Sequence, residues 1–463
     1  MREFGFRDME SCVRWLLSAP LTRNQIEILA SHLTVGETYF FRDKKCFQIL
    51  EEHILPELIQ LQRGKELSLR IWSAGCSTGE EAYSIAILLS RMVTDMKYWN
   101  ITILATDINP RFLGKAAEGV YTEWSFRDVP PRIRERYFTK RRDGCLEILP
   151  DIKKVVTFSY HNLVEDAYPS LLNNTNAMDI IFCRNVLMYF SAERAEEVIR
   201  NLRHCLVDGG WLIVSPVEAY HLLLSQFRAV SFEGATFYKK EPQRIEEPVS
   251  RESFYPKYEE IRVTPLPASD LVYAPPVVTL PEERREPVRE VKKQETTGPQ
   301  YDEALGLYEQ GRYAEAAEKI SALLSLNQTD AKALALLTRI YANQGKLSEA
   351  LEWCEKAISV DRMNPASHYL LATILQERGQ TGEAVASLKR ALYLDQNFLL
   401  AHFTLGNLTR QQGKFKESRK HFENARSLLK AYRQEDSLPE SEGMTAGRLS
   451  EIIQTMRETE SRR

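Results

Sequence analysis

The chain has 463 residues, of which 43% are hydrophobic and 27% charged, and a formal net charge of −3. That is enough chain for two or three domains, each with its own core, in a composition ordinary for globular protein. The near-balanced charge argues against bulk attraction to nucleic acid or to an anionic membrane surface. The seven cysteines, with no CxxC pair, argue against a disulfide framework or structural zinc. The eight histidines form no HExxH pair, so no metal site is expected. The apolar runs near Ile180 and Trp211 are too short to span a bilayer, and MREFGFRDMESC lacks the apolar core of a signal peptide, so a cytoplasmic protein without membrane insertion is expected.

In chain order, residues 1–60 read as a helical subdomain, with helical spacing in FRDMESCVRWLLSA and in DKKCFQILEEHILPELIQLQ. Residues 61–240 alternate strands and helices. Strands are predicted at 67–73, 101–106, 155–160, 178–183 and 210–215, with a hairpin over AVSFEGATFYK. Strands separated by helices imply a doubly wound, mostly parallel α/β sheet of the Rossmann-like kind. A small β insert is expected at about 132–155, turning at Asp143 and Gly144. From 241 to 296 prolines crowd together without apolar periodicity, the texture of a flexible linker. Beyond it, Gly311, Gly345, Gly379 and Gly413 recur in step with Glu315, Glu349, Glu383 and Glu417. The 34-residue period predicts an all-α tetratricopeptide (TPR) solenoid over 297–432, whose groove would take a protein or peptide partner. Residues 433–463 are left as a tail or capping helix.

The chemistry-bearing residues cluster at predicted strand ends, where open parallel sheets hold ligands. In RIWSAGCSTGEEAYSIA, Gly75 and Gly79 lie in a strand-to-helix loop, and Thr78 and Glu81 are spaced as a capping box. Glu80 and Glu81 would repel phosphate, so a ligand with hydroxyl, amine or cationic groups fits better. Asp107, ending the next strand, is suited to paired ribose hydroxyls, and Asn162 and Asn185 offer amides that both donate and accept. Arg184 serves equally well as a ligand contact or as a structural ion-pair partner. Upstream, Phe40 and Phe41 read as core, whereas Arg42 beside them offers a bidentate grip on a carboxylate.

TYFFRD, WSAGCSTGEEAYS, ATDIN, HNL and FCRNVLMYF together resemble the motif series of the chemotaxis-receptor glutamate methyltransferases, the CheR family, over roughly residues 1–240. The resemblance implies S-adenosylmethionine across the strand ends, S-adenosylhomocysteine as product, and chemoreceptor cytoplasmic helices as substrate. It assigns cofactor contacts to Thr38, Arg42, Glu81, Asp107, Asn162, Leu163, Arg184 and Asn185, sets Gly75 in the loop under the ligand, and gives catalytic roles to Arg42 and Tyr189. Ala82 replaces a frequent proline, and Gly36 replaces an asparagine that contacts ligand in some members. The β insert is shorter than in members that dock a receptor's terminal pentapeptide, so docking through the repeats is expected instead. A cofactor-sensing scaffold without turnover, or a methyltransferase for another acceptor, are the alternative readings.

Overall fold

A computed structural model describes residues 8–16, 18, 21, 23–34, 36–63, 67–219, 226–241 and 298–461. The predicted proline-rich linker therefore lies almost wholly outside the described residues. The N-terminal segment forms α1 (Met9–Leu16), α2 (Arg23–Leu33), α3 (Lys44–Ile49) and α4 (Leu55–Arg63), with a π turn over Leu50–Ile54 joining the last two. Asp43 caps α3, its carboxylate accepting the Cys46 N–H.

The alternating segments then build β1 (Ser68–Ala74), α5 (Glu80–Met92), β2 (Asn100–Asp107) and α6 (Pro110–Glu118). A small excursion follows: β3 (Val120–Tyr121), α7 (Pro131–Tyr137), β4 (Phe138–Lys140), β5 (Leu146–Ile148) and α8 (Pro150–Lys153). The main sheet resumes with β6 (Val156–Tyr160), β7 (Met178–Phe182), α9 (Ala192–Cys205), β8 (Leu206–Ile213), β9 (Arg228–Phe232) and β10 (Ala235–Lys239). Seven strands form it in the order β6-β2-β1-β7-β8-β10-β9. The first four neighbouring pairs are parallel, and β10 runs antiparallel to β8 and β9. The order reverses between β1 and β7, the switch point where such sheets open a ligand crevice. All five residues of β7, and all of β1 after Ser68, are buried, as a sheet covered on both faces requires.

The insert begins earlier than the predicted 132. Its first strand is only two residues long and carries no readable alternation; Gly119, at φ +66°, turns the chain into it.

Helix pairs follow: α10 (Pro299–Glu309) with α11 (Tyr313–Leu326), α12 (Ala331–Asn343) with α13 (Leu347–Val360), α14 (Pro365–Glu377) with α15 (Thr381–Leu394), and α16 (Leu399–Gln411) with α17 (Phe415–Leu429). Each pair turns at a glycine of the 34-residue series, with φ between +71° and +75°, a conformation that disfavours any side chain with a Cβ. Ala316, Ala350, Ala384 and Ser418 are fully buried where paired helices touch.

The repeats pack on the edge of the sheet where its strands begin. The Asn176 amide donates to the Glu377 carboxylate at 3.0 Å, and the Asn100 amide donates to the Glu377 carbonyl. The tail folds back. Ser437 and Thr445 form a β-bridge, Glu442 accepts from the Tyr308 hydroxyl at 2.9 Å, and Glu440 pairs with Arg339. A last helix, α18 (Ala446–Ser461), buries Leu449 and Ile453 in one cluster with Tyr369, Leu400 and Phe403 of the repeats.

Candidate active site

The loop after β1 is tied to β2, the Gly75 and Cys76 N–H groups both donating to the Thr106 carbonyl at 2.8 and 2.9 Å. Gly75 sits at φ +80°, and a Cβ there would lie 2.3 Å from Val186 Cγ2, so the loop closes on the strand end only because this residue is glycine. Ser77, at φ +49°, donates its N–H to Asp107 Oδ2 at 2.8 Å, while Asp107 Oδ1 accepts the Asn109 N–H at 2.8 Å. Burial raises the Asp107 carboxyl above its ordinary range, with the N–H groups of Asn109 and Ser77 opposing the rise. The two donors leave acceptor capacity on both oxygens. The Ser77 hydroxyl is buried with no partner among the described residues.

The expected capping box does not form. Gly79 is the cap residue and makes no side-chain cap bond, and Thr78 donates to Glu80 at 2.6 Å. Glu81 instead accepts from the Ser73 hydroxyl at 2.7 Å and faces Arg184 Nη1 at 3.4 Å. Packing of α5 on the sheet turns Glu81 over the end of β1, where a buried cation outcompetes the helix's own N–H groups.

Arg184 follows β7 and joins three segments. It donates to Asp43 at 2.9 Å and to the Arg42 carbonyl at 3.2 Å besides facing Glu81. Burial alone would lower its basicity, and Glu81 and Asp43 outweigh that, so it is held above its ordinary value. The structural ion pair is thus formed, and Arg184 Nε remains buried with no partner among the described residues.

Asn185 adopts φ +60° and is braced by a residue the sequence reading missed. Glu218, fully buried, accepts the N–H groups of Asn185, Val186 and Leu187 at 2.7, 2.6 and 2.8 Å, and that of Ser215 at 3.0 Å. An acidic residue in SPVEAY just past a buried strand was the available signal. Opposite, Phe40 is buried among Tyr121, Phe126 and Phe138, which pins the preceding loop, and Arg42 donates to the Glu37 carbonyl at 2.6 Å.

Thr38, Arg42, Gly75, Glu81, Arg184 and Asn185 line one cleft of about 60 Å³. Asp107 adjoins it through Ser77 without lining it. Asn162, one strand further along the rim, borders a separate cavity of about 290 Å³ that also meets α18, and its amide donates to Glu165 at 2.9 Å. Leu163 is buried beside it, its carbonyl accepting from the Tyr168 hydroxyl. Tyr189 lies outside the cleft, 65% exposed on the turn Leu187–Tyr189. A larger cavity, about 830 Å³, opens at the opposite strand ends, beside the repeats. Burial pushes the Cys46 thiol up to about 12 and Cys76 well above its ordinary value, so neither offers a thiolate nucleophile.

A CheR methyltransferase SAM-binding domain matches residues 36–233, which contain every one of these candidates. Chemotaxis protein methyltransferase 2 of Vibrio cholerae is 34% identical over 47% of this chain and 73% of its own length. The chain belongs to the chemotaxis protein methyltransferase family. The corresponding protein of Borreliella burgdorferi is 32% identical over 46% of this chain and 75% of that one, and chemotaxis protein methyltransferase 1 of Pseudomonas aeruginosa is 34% identical over 46% and 77%. This methyltransferase, dependent on S-adenosylmethionine as its family is, also carries tetratricopeptide repeats matched at 307–374, and 343–425 resembles anaphase-promoting complex subunit 3. Among the described residues no helix is long and apolar enough to cross a membrane.

Proposed function

We propose that the chain methylates glutamate side chains on chemoreceptor proteins, with the donor along the strand-end rim from Arg184 to Asn162 and S-adenosylhomocysteine as the product. The observation that carries this reading is the convergence of Gly75, Asp107, Asn162 and Asn185 at the ends of four adjacent strands, β1, β2, β6 and β7. The residues present fit such a donor. Asp107 has acceptor capacity for ribose hydroxyls, Asn162 and Asn185 have amides, and Ser77 Oγ and Arg184 Nε are buried polar atoms in need of partners. Bound there, S-adenosylmethionine supplies a methyl group on a positively charged sulfur.

A glutamate carboxylate, with an ordinary pKa of about 4.3, is already nucleophilic at neutral pH and needs no general base. The protein's task is alignment and exclusion of water. Arg42, whose guanidinium donates to the Glu37 carbonyl at the wall of the cleft, holds the incoming carboxylate and offsets the cost of burying it. Tyr189, exposed beside the Asn185 turn, orients the acceptor by hydrogen bonding. Beneath them the Glu81–Arg184–Asp43 cluster keeps the floor rigid. The repeats act as the docking module for a protein or peptide partner. A partner on the face of Tyr308 and Arg339 must displace the tail that Glu440 and Glu442 hold there.

The test is incubation with methyl-labelled S-adenosylmethionine and receptor-containing membranes, followed by base. Release of volatile labelled methanol marks a carboxyl methyl ester. Base-stable label means another acceptor, and donor uptake without any transfer means a scaffold.

A further inference from the structure

The loop after β6 is held by a residue 282 positions further along the chain. Asp166 accepts the Asn162 N–H at 2.7 Å and is met by one edge of a guanidinium: Arg448 Nε lies 2.6 Å from Oδ1 and Nη2 lies 2.8 Å from Oδ2. The pair is nearly removed from water, the side chains being 14% and 9% exposed. A two-pronged grip of this kind sets orientation as well as charge. The guanidinium also lies 4.6 Å from the centre of the Tyr160 ring, on the last residue of β6. On another side of Asp166, His161 Nδ1 stands 3.5 Å away, and burial lowers that imidazole to about 3, so it brings no positive charge.

Arg448 does not belong to the sheet domain. It lies in the first turn of α18, one residue before Leu449, which is buried with Tyr369, Leu400 and Phe403 of the repeats. The Arg448–Asp166 ion pair therefore joins the repeats and tail to the loop from His161 to Asp166. Without it the Asp166 carboxylate would be left buried with its main countercharge gone, and the loop would open toward water. Any ligand that needs the loop closed must then supply the ordering cost from its own binding.

We propose that Arg448 is a positioning residue for the methyl-donor site: by gripping Asp166 it sets the loop that presents Asn162 and Leu163, so that the docked repeat module governs donor affinity. This rests on the reading above that the donor reaches Asn162 along the rim. The coupling makes the tail a relay, since whatever draws α18 from the sheet loosens the donor's hold.

The test titrates S-adenosylhomocysteine by calorimetry into the full chain, its Arg448→Ala and Arg448→Lys variants, and Arg448→Ala combined with Asn162→Ala. Arg448→Ala is expected to weaken uptake about tenfold and raise KM for the donor in proportion, with kcat at saturating donor within about twofold of the parent. Arg448→Lys, which keeps the charge and loses the fork, falls between. In the Asn162→Ala background the further loss from Arg448→Ala nearly vanishes, because the two act through one loop. Should Arg448→Ala fail to fold, Asp166→Asn removes the same grip at unchanged shape and carries the same expectation. Unchanged affinity in both variants, or an equal loss with and without Asn162, overturns the proposal. If the parent chain itself takes up no S-adenosylhomocysteine, the donor-site reading falls first and this inference with it.

Discussion

Glu218→Gln is nearly isosteric, yet it should be one of the more damaging single changes in the N-terminal half. One carboxylate oxygen accepts the N–H groups of Val186 and Leu187, and the other accepts those of Asn185 and Ser215 together with the Ser215 hydroxyl. A carboxylate is acceptor-only, whereas an amide must turn its NH2 toward one of these sets. Whichever way it flips, at least two backbone bonds are lost and N–H is set against N–H. At about 1.5–3 kcal/mol for each hydrogen bond to a charged group, the loss is about 3–6 kcal/mol, against typical domain stabilities of about 5–15 kcal/mol. The same bonds hold Asn185 at φ +60°, so the rim of the cleft should loosen with them. Five of the six tryptophans, at 15, 72, 99, 124 and 211, lie before the linker, so intrinsic fluorescence during guanidinium denaturation follows this half of the chain. The expected record is an earlier transition together with weaker S-adenosylhomocysteine uptake. A shift worth less than about 1 kcal/mol with uptake unchanged would refute the reasoning.

Two further expectations concern the mouth of the cleft and the seam with the repeats. Arg42→Ala should lower kcat by about 10²-fold while leaving S-adenosylhomocysteine affinity within a few-fold, and equal turnover in variant and parent would reject its role toward the acceptor. Glu377 is pushed up to about 7 by burial, with the Arg70 charge and the Asn176 amide opposing. Its carboxyl ionises near 4.5 in the unfolded chain, so between about 4.5 and 7 the folded state holds the extra proton. Stability therefore falls as pH rises through that window, by at most about 3 kcal/mol, and the loss is complete above it. Glu377→Gln should flatten this part of the pH profile, and identical slopes between pH 5 and 8 in variant and parent would remove the argument.

Much of the fold was legible because it rests on periodicity. Leu69 and Ile71 alternate into β1, and 34-residue spacing set the four helix pairs, whose glycines all adopt positive φ. The candidate site was legible where chemistry sits at the end of a readable strand, as at Asp107 and Arg184. Spacing misled where a local rule met a tertiary competitor: Thr78 and Glu81 satisfy the capping pattern, yet Ser73 and Arg184 claim the Glu81 carboxylate. It was silent where the partner is remote, as with Glu218 beneath Asn185 and Arg448 beside Asp166.

By itself, then, the sequence determined the two architectures and the residue types at the strand ends, since both follow from short-range patterns of apolar, glycine and polar residues. Only the tertiary structure decided which carboxylate meets which cation, that Arg184 is spent largely on Asp43 and Glu81, and that the tail returns to the rim. Those outcomes depend on which groups lose water together when distant segments pack. Burial makes an unpaired charge costly, so the pairing is settled by the fold as a whole.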